Sequence, residues 1–203
     1  MINNKIIFKE FEICVADEEH YGYIPLILKT IAKSAKKRRT GIAKRNPDYI
    51  KAKMREGKAI IALKGDEFAG FCYIECWQKK QYVANSGLIV AEQFRGEKLA
   101  SEIKKFTFRH TREMFPEAKL FTITTNAAVM KINQEEFGYR LVTFADLPKE
   151  KKFWQGCEGC SNYYVLLHNM VRNRPTYCAC SAMIFDPAKD AARAEWLKKM
   201  PKD

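Results

Sequence analysis

The stretch SGLIVAEQFRGEKLASEIKKFTFRH, residues 86–110, decides how the rest of the chain is read. It opens with Leu88-Ile89-Val90, an apolar run that reads as a buried strand. A turn follows, Gln93-Phe94-Arg95-Gly96-Glu97, and then an amphipathic helix with Leu99, Ile103, Phe106 and His110 on one face. The first-turn N–H groups of a helix lack intrahelical partners and lie at the positive end of its macrodipole. A strand, a basic glycine-containing turn and a helix N-terminus in this order therefore offer a site for an anion such as a phosphate. Many strand–turn–helix units offer as much, so the residue types have to narrow the reading.

The order Val90, Phe94, Arg95, Gly96, Lys98, Leu99, Ala100 resembles the acyl-CoA signature of the GNAT superfamily of N-acetyltransferases. In that family a strand valine is followed by Arg-x-x-Gly-x-Gly/Ala, and the turn holds the CoA pyrophosphate. Arg95 and Ala100 match, and Lys98 stands where the middle glycine belongs. The resemblance implies that Leu88, Ile89, Val90, Arg95, Gly96, Glu97, Lys98, Leu99 and Ala100 line the cofactor. A lysine at a helical backbone angle there costs little, whereas at a positive φ it strains the turn and lowers cofactor affinity.

After the apolar run Leu120 to Thr125 come Asn126 and a helical segment closing at Gly138-Tyr139. This resembles the family's second signature, in which an asparagine opens the helix and touches the cofactor. Asn126 is also a sound helix cap with or without a ligand. The family often places on this helix a tyrosine that protonates the departing thiolate. Asn133 occupies that place here, as a candidate catalytic and cofactor contact, but an amide cannot act as a general acid.

The implied chemistry is direct attack of an amine on a thioester carbonyl, so none of the seven cysteines has to be a nucleophile. The tetrahedral oxyanion needs a backbone donor, which the family supplies from the strand matching Leu88-Ile89-Val90. A protonated amine must first lose a proton. Glu75, on a central strand with Ile74 and Cys76 facing the other way, is the candidate base; a solvated strand glutamate is the bland alternative. Ser86, next to Asn85, stands where the family often carries a glutamate. His20, His110 and His168 lie in unhelpful places, and His110 falls on an apolar helix face.

The dense basic run KKRRTGIAKR, residues 36–45, reads as a solvated helix end or as an anion-binding lip broken open at Thr40-Gly41. The resemblance puts this segment at the acceptor pocket, making Thr40, Lys44 and Arg45 contacts to an acidic acceptor. Nucleic acid is the weaker partner, because the run lacks interleaved aromatics.

Over all 203 residues the net charge is +12, with 30% charged and 47% hydrophobic residues, which is a globular chain of one ordinary domain. No apolar run approaches the roughly 18 residues of a membrane span, and the first residues lack the pattern of a secretory signal. The cytoplasm is the expected compartment, a small-molecule amine the expected partner, and a homodimer is compatible with the pattern.

Read in order, the elements run β-α-α-β-β-β-α-β-α-β: two short apolar pieces, 6–8 and 11–15, of which the second alternates as a first strand, a helix from Ile24, one after Pro47, and a hairpin across Gly65-Asp66. A strand from Tyr82, the 86–110 unit and a strand–helix–strand to Phe144 complete it. This is an α+β, mixed α/β pattern and also the order of the GNAT-type acyl-CoA N-acyltransferase fold. That fold has a central, twisted, mostly antiparallel sheet flanked by helices. The domain is expected over 1–186, with residues 146–186 a cysteine-containing extension and 187–203 a basic helix. Cys157-x-x-Cys160 followed by Cys178-x-Cys180 can supply four thiolates to a structural zinc, although small buried thiols or a redox pair fit the same pattern.

The resemblance thus implies transfer of an acetyl or similar acyl group from acetyl-CoA to a primary amine, with a carboxylate-bearing amino acid the favoured acceptor. Proteins of this kind include those that form N-acylglutamate in arginine biosynthesis. The rival is a catalytically silent CoA-binding or zinc-containing interaction module, favoured by Lys98 and by the missing helix tyrosine.

Overall fold

The computed structural model describes residues 4–38, 45–158, 160, 163, 170–171, 174–175, 178 and 180–199. Strands β1 (Lys5–Phe8) and β2 (Phe11–Val15) form a hairpin before helices α1 (Ile24–Arg38) and α2 (Pro47–Arg55). Then come β3 (Ala59–Lys64), β4 (Glu67–Trp77), β5 (Tyr82–Val90), α3 (Leu99–Met114), β6 (Lys119–Thr124), α4 (Ala127–Phe137) and β7 (Arg140–Val142). The last part holds α5 (Lys151–Gln155), the small hairpin β8 (Met170–Val171) and β9 (Arg174–Pro175), β10 (Ser181–Phe185) and α6 (Pro187–Lys199).

Eight strands follow the order β1-β2-β3-β4-β5-β6-β10-β7. The pairs β1–β2, β2–β3, β3–β4, β6–β10 and β10–β7 are antiparallel. β5 and β6 run parallel and pair only through Tyr82↔Lys119, Val83↔Leu120 and Ala84↔Phe121. This is the mixed, mostly antiparallel sheet that the element order implies. The chain packs as two compact units, residues 1–75 with 85–113 and residues 76–84 with 114–203.

In the first unit β3 is buried along Ala59–Leu63, which explains its unbroken apolar run. Ile27 of α1, Ile50 and Met54 of α2 and Phe71 of β4 are at most 2% exposed, each contributing about 1.5–3 kcal/mol by leaving water. Pro25 lies in the first turn of α1, where its missing N–H costs nothing. A 3-10 helix capped by Asp17 precedes it, so the proline restarts the helix rather than kinking it. Asn46 caps α2 by accepting from Tyr49 N at 2.7 Å, with Pro47 at the first position.

Helix α3 lies close over β4 because position 70 is glycine. A β-carbon there would stand 2.5 Å from Ile103 Cδ1 and 2.9 Å from the Ile89 carbonyl oxygen. The expected apolar face is present, and His110 packs with its Nε2 2.8 Å from the Gly57 carbonyl. Beside that face runs a polar seam that periodicity does not announce. Lys104, Thr107 and Thr111 are all buried, and Asn85 Nδ2 donates to Thr111 Oγ1 at 2.8 Å. Burial pulls the Lys104 ammonium toward its neutral form and pushes the adjacent Cys72 thiol up.

In the second unit β10 is inserted between β6 and β7, with Met183 opposite Thr122 on one side and Leu141 on the other. Phe153 of α5 packs edge-on to Trp77, Phe121 and Trp154. The β4–β5 turn holds three consecutive left-handed residues, Gln78, Lys79 and Lys80. Gln78 N donates to Glu150 Oε1 at 2.6 Å, and Lys149 N donates to Gln78 Oε1 at 2.7 Å, so the segment before α5 holds the strained turn. Asp186 and Asp190 are buried at the start of α6; Asp190 accepts from Asp186 N at 2.8 Å and pairs with Arg140 at 3.4 Å, while Asp186 pairs with Lys119 at 3.3 Å. Among the described residues no helix is long and apolar enough to cross a membrane.

Replacing Asp190 by Ala leaves Asp186 N and Arg140 without this acceptor, and a loss of about 2–4 kcal/mol is expected in urea unfolding. Lys104 holds its proton less tightly in the fold than in the unfolded chain. The unfolded chain therefore binds more protons in the interval between the lowered folded value and the unfolded one, and stability rises with pH through that interval up to the unfolded lysine value of about 10.4. Lys104→Met is expected to raise stability at pH 7 and to flatten that alkaline rise; an unchanged pH slope counts against a buried, disfavoured ammonium.

Candidate active site

β5 carries the centre of the site. Its residue Gly87 has a φ of +66°, and a β-carbon there would stand 2.3 Å from Cε1 of Tyr73. The strand thus passes close over the Tyr73 ring with a left-handed glycine, and Cys72 donates from Sγ to the Ser86 carbonyl at 3.4 Å. Beyond Gly87, Ile89 and Val90 are buried, so only their backbone atoms can face a ligand.

Past Val90 a 3-10 turn over Glu92–Phe94 buries Phe94, which packs edge-on to Phe11 at 5.3 Å. Arg95 folds its Nε back onto the Val90 carbonyl at 3.3 Å, while Arg95, Gly96 and Lys98 are exposed. The Lys98 carbonyl accepts from Ser101 and Glu102, which starts α3, and the first-turn amides of Leu99 and Ala100 precede any intrahelical acceptor. Leu99 itself is buried and offers only its N–H. Gly96 has a φ of +90° and Lys98 of +64°, so the lysine adopts the left-handed conformation that the signature's glycine allows freely. Of the two readings of Lys98, the strained one holds.

On the face of β4 that carries Tyr73 and Glu75, α2 adds Tyr49 and Lys53. Lys53 Nζ lies 2.9 Å from Glu75 Oε2, with both side chains less than 15% exposed at 12% and 14%. Arg45 Nε donates to the Tyr73 hydroxyl at 2.7 Å, and its guanidinium lies 5.3 Å from the Tyr49 ring centre and 5.8 Å from that of Tyr73. Lys53 Nζ stands 5.1 Å from the Tyr49 ring centre, so one tyrosine serves two cations. Burial pushes the Tyr73 phenol up, against the opposing pull of Arg45, and keeps it neutral at physiological pH. The result is a cationic, tyrosine-lined cluster beside Gly87 of β5, suited to a carboxylate-bearing molecule.

The structure thus gathers Glu75, Ser86, Leu88–Val90, Arg95–Ala100 and Arg45 in one unit, while Thr40 and Lys44 lie outside the described residues. Asn126 and Asn133 belong to the other unit. Asn126 caps α4, accepting from Ala128 N at 3.0 Å and Val129 N at 3.4 Å. Asn133 is a correction: it is 0% exposed, its Nδ2 faces Met183 Sδ at 3.9 Å, and its Oδ1 has no hydrogen-bond partner among the described residues. A fully enclosed amide reaches neither cofactor nor substrate. Tyr49, Lys53, Tyr73 and Gly87 were missed. The i, i+4 spacing of Tyr49 and Lys53 and the i, i+2 spacing of Tyr73 and Glu75 were the available signals.

Burial and the Cys178 and Cys160 thiols push Cys157 up to about 11, and burial with Cys178 pushes Cys180 up to about 12. Among the described residues no group of three or more His, Cys, Asp or Glu side chains is placed where it could hold a metal ion.

No family model matches the chain, and no curated protein does. Solved structures do. N-acetylglutamate synthase from Neisseria gonorrhoeae, complexed with coenzyme A and N-acetyl-glutamate, matches 90% of this chain with 36% of its own, at 14% identity and a TM-score of 0.59. Rv2747 from Mycobacterium tuberculosis, in a complex with CoA, matches over 86% of this chain and 98% of its own, at 11% identity and a TM-score of 0.59. A GNAT-family acetyltransferase from Listeria monocytogenes covers 68% of this chain and 92% of its own, at 16% identity and a TM-score of 0.54.

The fold is that of the GNAT acetyltransferases.

The chain spans about a third of the Neisseria enzyme's length, and its 86–110 stretch folds as a strand, a short turn and a helix. Two variants probe this turn and Gly87. Lys98→Gly relieves a left-handed lysine and is expected to raise stability by about 1 kcal/mol, read by urea unfolding; a loss would show that position 98 rests elsewhere. Gly87→Ala places a methyl group against the Tyr73 ring in a left-handed conformation, and a loss of about 2–4 kcal/mol is expected by the same measurement.

Proposed function

We propose that the protein is an acyl-CoA-dependent N-acyltransferase that moves an acetyl or similar acyl group to the primary amine of a small, carboxylate-bearing acceptor such as an amino acid. The observation that carries this reading is β5, left-handed at Gly87, running into the Arg95–Ala100 turn and the open N-terminus of α3, within a GNAT fold. The turn amides with Arg95 and Lys98 would take the pyrophosphate, and the β5 backbone beside Gly87 would donate to the oxyanion.

The amine nitrogen attacks the thioester carbon, the carbonyl electrons move to oxygen, and collapse expels CoA thiolate. A thiol pKa near 8.5 makes that departure tolerable without a dedicated acid, which suits a chain whose Asn133 is enclosed. Glu75 is the acidic group of the cluster and the candidate to receive the amine proton, in competition with its ion pair to Lys53. Tyr73, buried under Gly87, acts as a positioning residue that holds Arg45 for the acceptor carboxylate. An acceptor of the glutamate type, and with it a role in arginine biosynthesis, draws support from this cluster and from the product bound to the Neisseria enzyme. Direct transfer uses no metal, so zinc on Cys157, Cys160, Cys178 and Cys180 would be structural.

A catalytically silent CoA-binding module is the second reading, favoured by the strained Lys98 and the enclosed Asn133. A thiol-release screen of acetyl-CoA and succinyl-CoA against amino acids and polyamines separates the two. Release above hydrolysis with an amino acid, reduced at least tenfold in kcat/KM by Arg45→Ala through a raised acceptor KM, is the expected result. Stabilisation by CoA without thiol release from any amine would leave only the binding module.

A further inference from the structure

We propose that Cys14, His20 and Asp17 form a nucleophilic site separate from the candidate active site, at which the Cys14 thiol takes an acyl group from a small uncharged ester, with His20 as general base and Asp17 as the residue that orients His20. The inference does not depend on the acyl-transfer reading and shares none of its residues.

The three side chains meet because the chain turns back on itself where β2 ends. Cys14 is the penultimate residue of β2, Asp17 caps the 3-10 helix over Glu18–Tyr23, and His20 lies within that helix. Cys14 Sγ stands 3.7 Å from His20 Nε2, within reach of an S–H donor, and His20 Nδ1 stands 2.8 Å from Asp17 Oδ1. Asp17 Oδ1 also accepts from Glu19 N at 3.1 Å, which fixes the carboxylate, and the His20 ring lies 6.4 Å from that of Tyr23. Asp17 N stands 3.3 Å from the same Nδ1. One nitrogen cannot donate to the carboxylate and accept from the amide at once. A bare lone pair 2.8 Å from a carboxylate oxygen is repelled, so this network assigns the proton to Nδ1. Nε2 is then the bare nitrogen, and it faces the thiol. Nucleophile, base and orienting carboxylate stand in the order that triads use on unrelated folds.

The surroundings narrow the electrophile. Cys14 is 7% exposed and the His20 side chain 14%, so only a small molecule reaches the sulfur. Burial first, then Glu12 and Asp17, push the thiol up to about 11, against the pull of Lys5, which lies opposite Cys14 on β1 and pairs with Glu12 at 2.7 Å. Cys14 is therefore a neutral thiol at physiological pH, and its proton has to leave during attack, as a serine's does. Asp17, Glu18 and Glu19 are exposed and make the rim acidic, which disfavours anionic donors such as acyl-CoA. In the step itself sulfur bonds to the ester carbonyl carbon while Nε2 takes the thiol proton. The carbonyl electrons move to oxygen and return as the bond to the alcohol oxygen breaks, and the imidazolium gives its proton to the departing alkoxide. The products are S-acyl-Cys14 and free alcohol, and no oxidation state changes.

The test uses the full chain, reduced and then freed of reductant, with p-nitrophenyl acetate as probe, acid quenching and peptide mapping by mass spectrometry. Cys76 is the internal standard, because it is more exposed than Cys14. Cys14 is expected to be acetylated faster than Cys76 at neutral pH. Its rate should reach a plateau by about pH 8, once an imidazole has lost its proton. An unassisted thiol held near 11 would instead gain about tenfold per pH unit throughout that range. His20→Ala should slow Cys14 about a hundredfold relative to Cys76. Asp17→Asn keeps a helix cap but loses the orienting carboxylate, and should slow it about tenfold. A His20 that merely packs against the end of β2 would, once removed, uncover the sulfur and speed its acetylation. Should the His20 variant fail to fold, the pH profile of the unaltered chain still decides. Faster acetylation of Cys76 than of Cys14, a Cys14 rate still climbing tenfold per unit above about pH 8, or faster Cys14 acetylation in His20→Ala overturns the proposal.

Discussion

A β-carbon at position 87 would collide with the Tyr73 ring, and the geometry of the candidate site depends on that exclusion. Only glycine lets β5 pass over the ring in this left-handed conformation. With the ring locked beneath it, the Tyr73 hydroxyl is fixed where Arg45 can reach it. Arg45 in turn stacks on Tyr49, which also faces Lys53, and Lys53 pairs with Glu75. One missing methylene thus sets the order of a chain of contacts from the strand that would face the thioester to the groups that would face the acceptor.

The fold was legible because its elements are locally consistent. The alternation in β2, the unbroken apolar run of β3 and the stripe of Leu99, Ile103 and Phe106 each report their own burial. The place of β10 was not legible. Nothing in SAMIF says that the strand pairs with β6 and β7 rather than lying at an edge, since that choice depends on contacts distant in sequence. The hairpin β8–β9 and the short α5 were invisible for a related reason: elements of two to five residues carry too few periods to register.

The site was half legible. The strand–turn–helix followed from residue order, and the strain at Lys98 was one of two readings that a sequence leaves equal, because a backbone angle is not written in a side chain. Asn133 was misplaced because helical spacing does not say which way α4 turns about its axis. Full burial against Met183 settles that. The Lys53–Glu75 pair escaped because it joins a helix to a strand 22 residues away.

The division into two units has a consequence for biosynthesis. Residues 76–84 belong with 114–203, yet they interrupt the first unit between residues 75 and 85. Neither unit is a continuous stretch of chain. On the ribosome the first unit cannot close until residue 113 has emerged, and all that time the interrupting segment waits for partners not yet made. The buried residues Val83 and Ala84 lie in that segment, and their pairing with Leu120 and Phe121 has to wait until β6 is made.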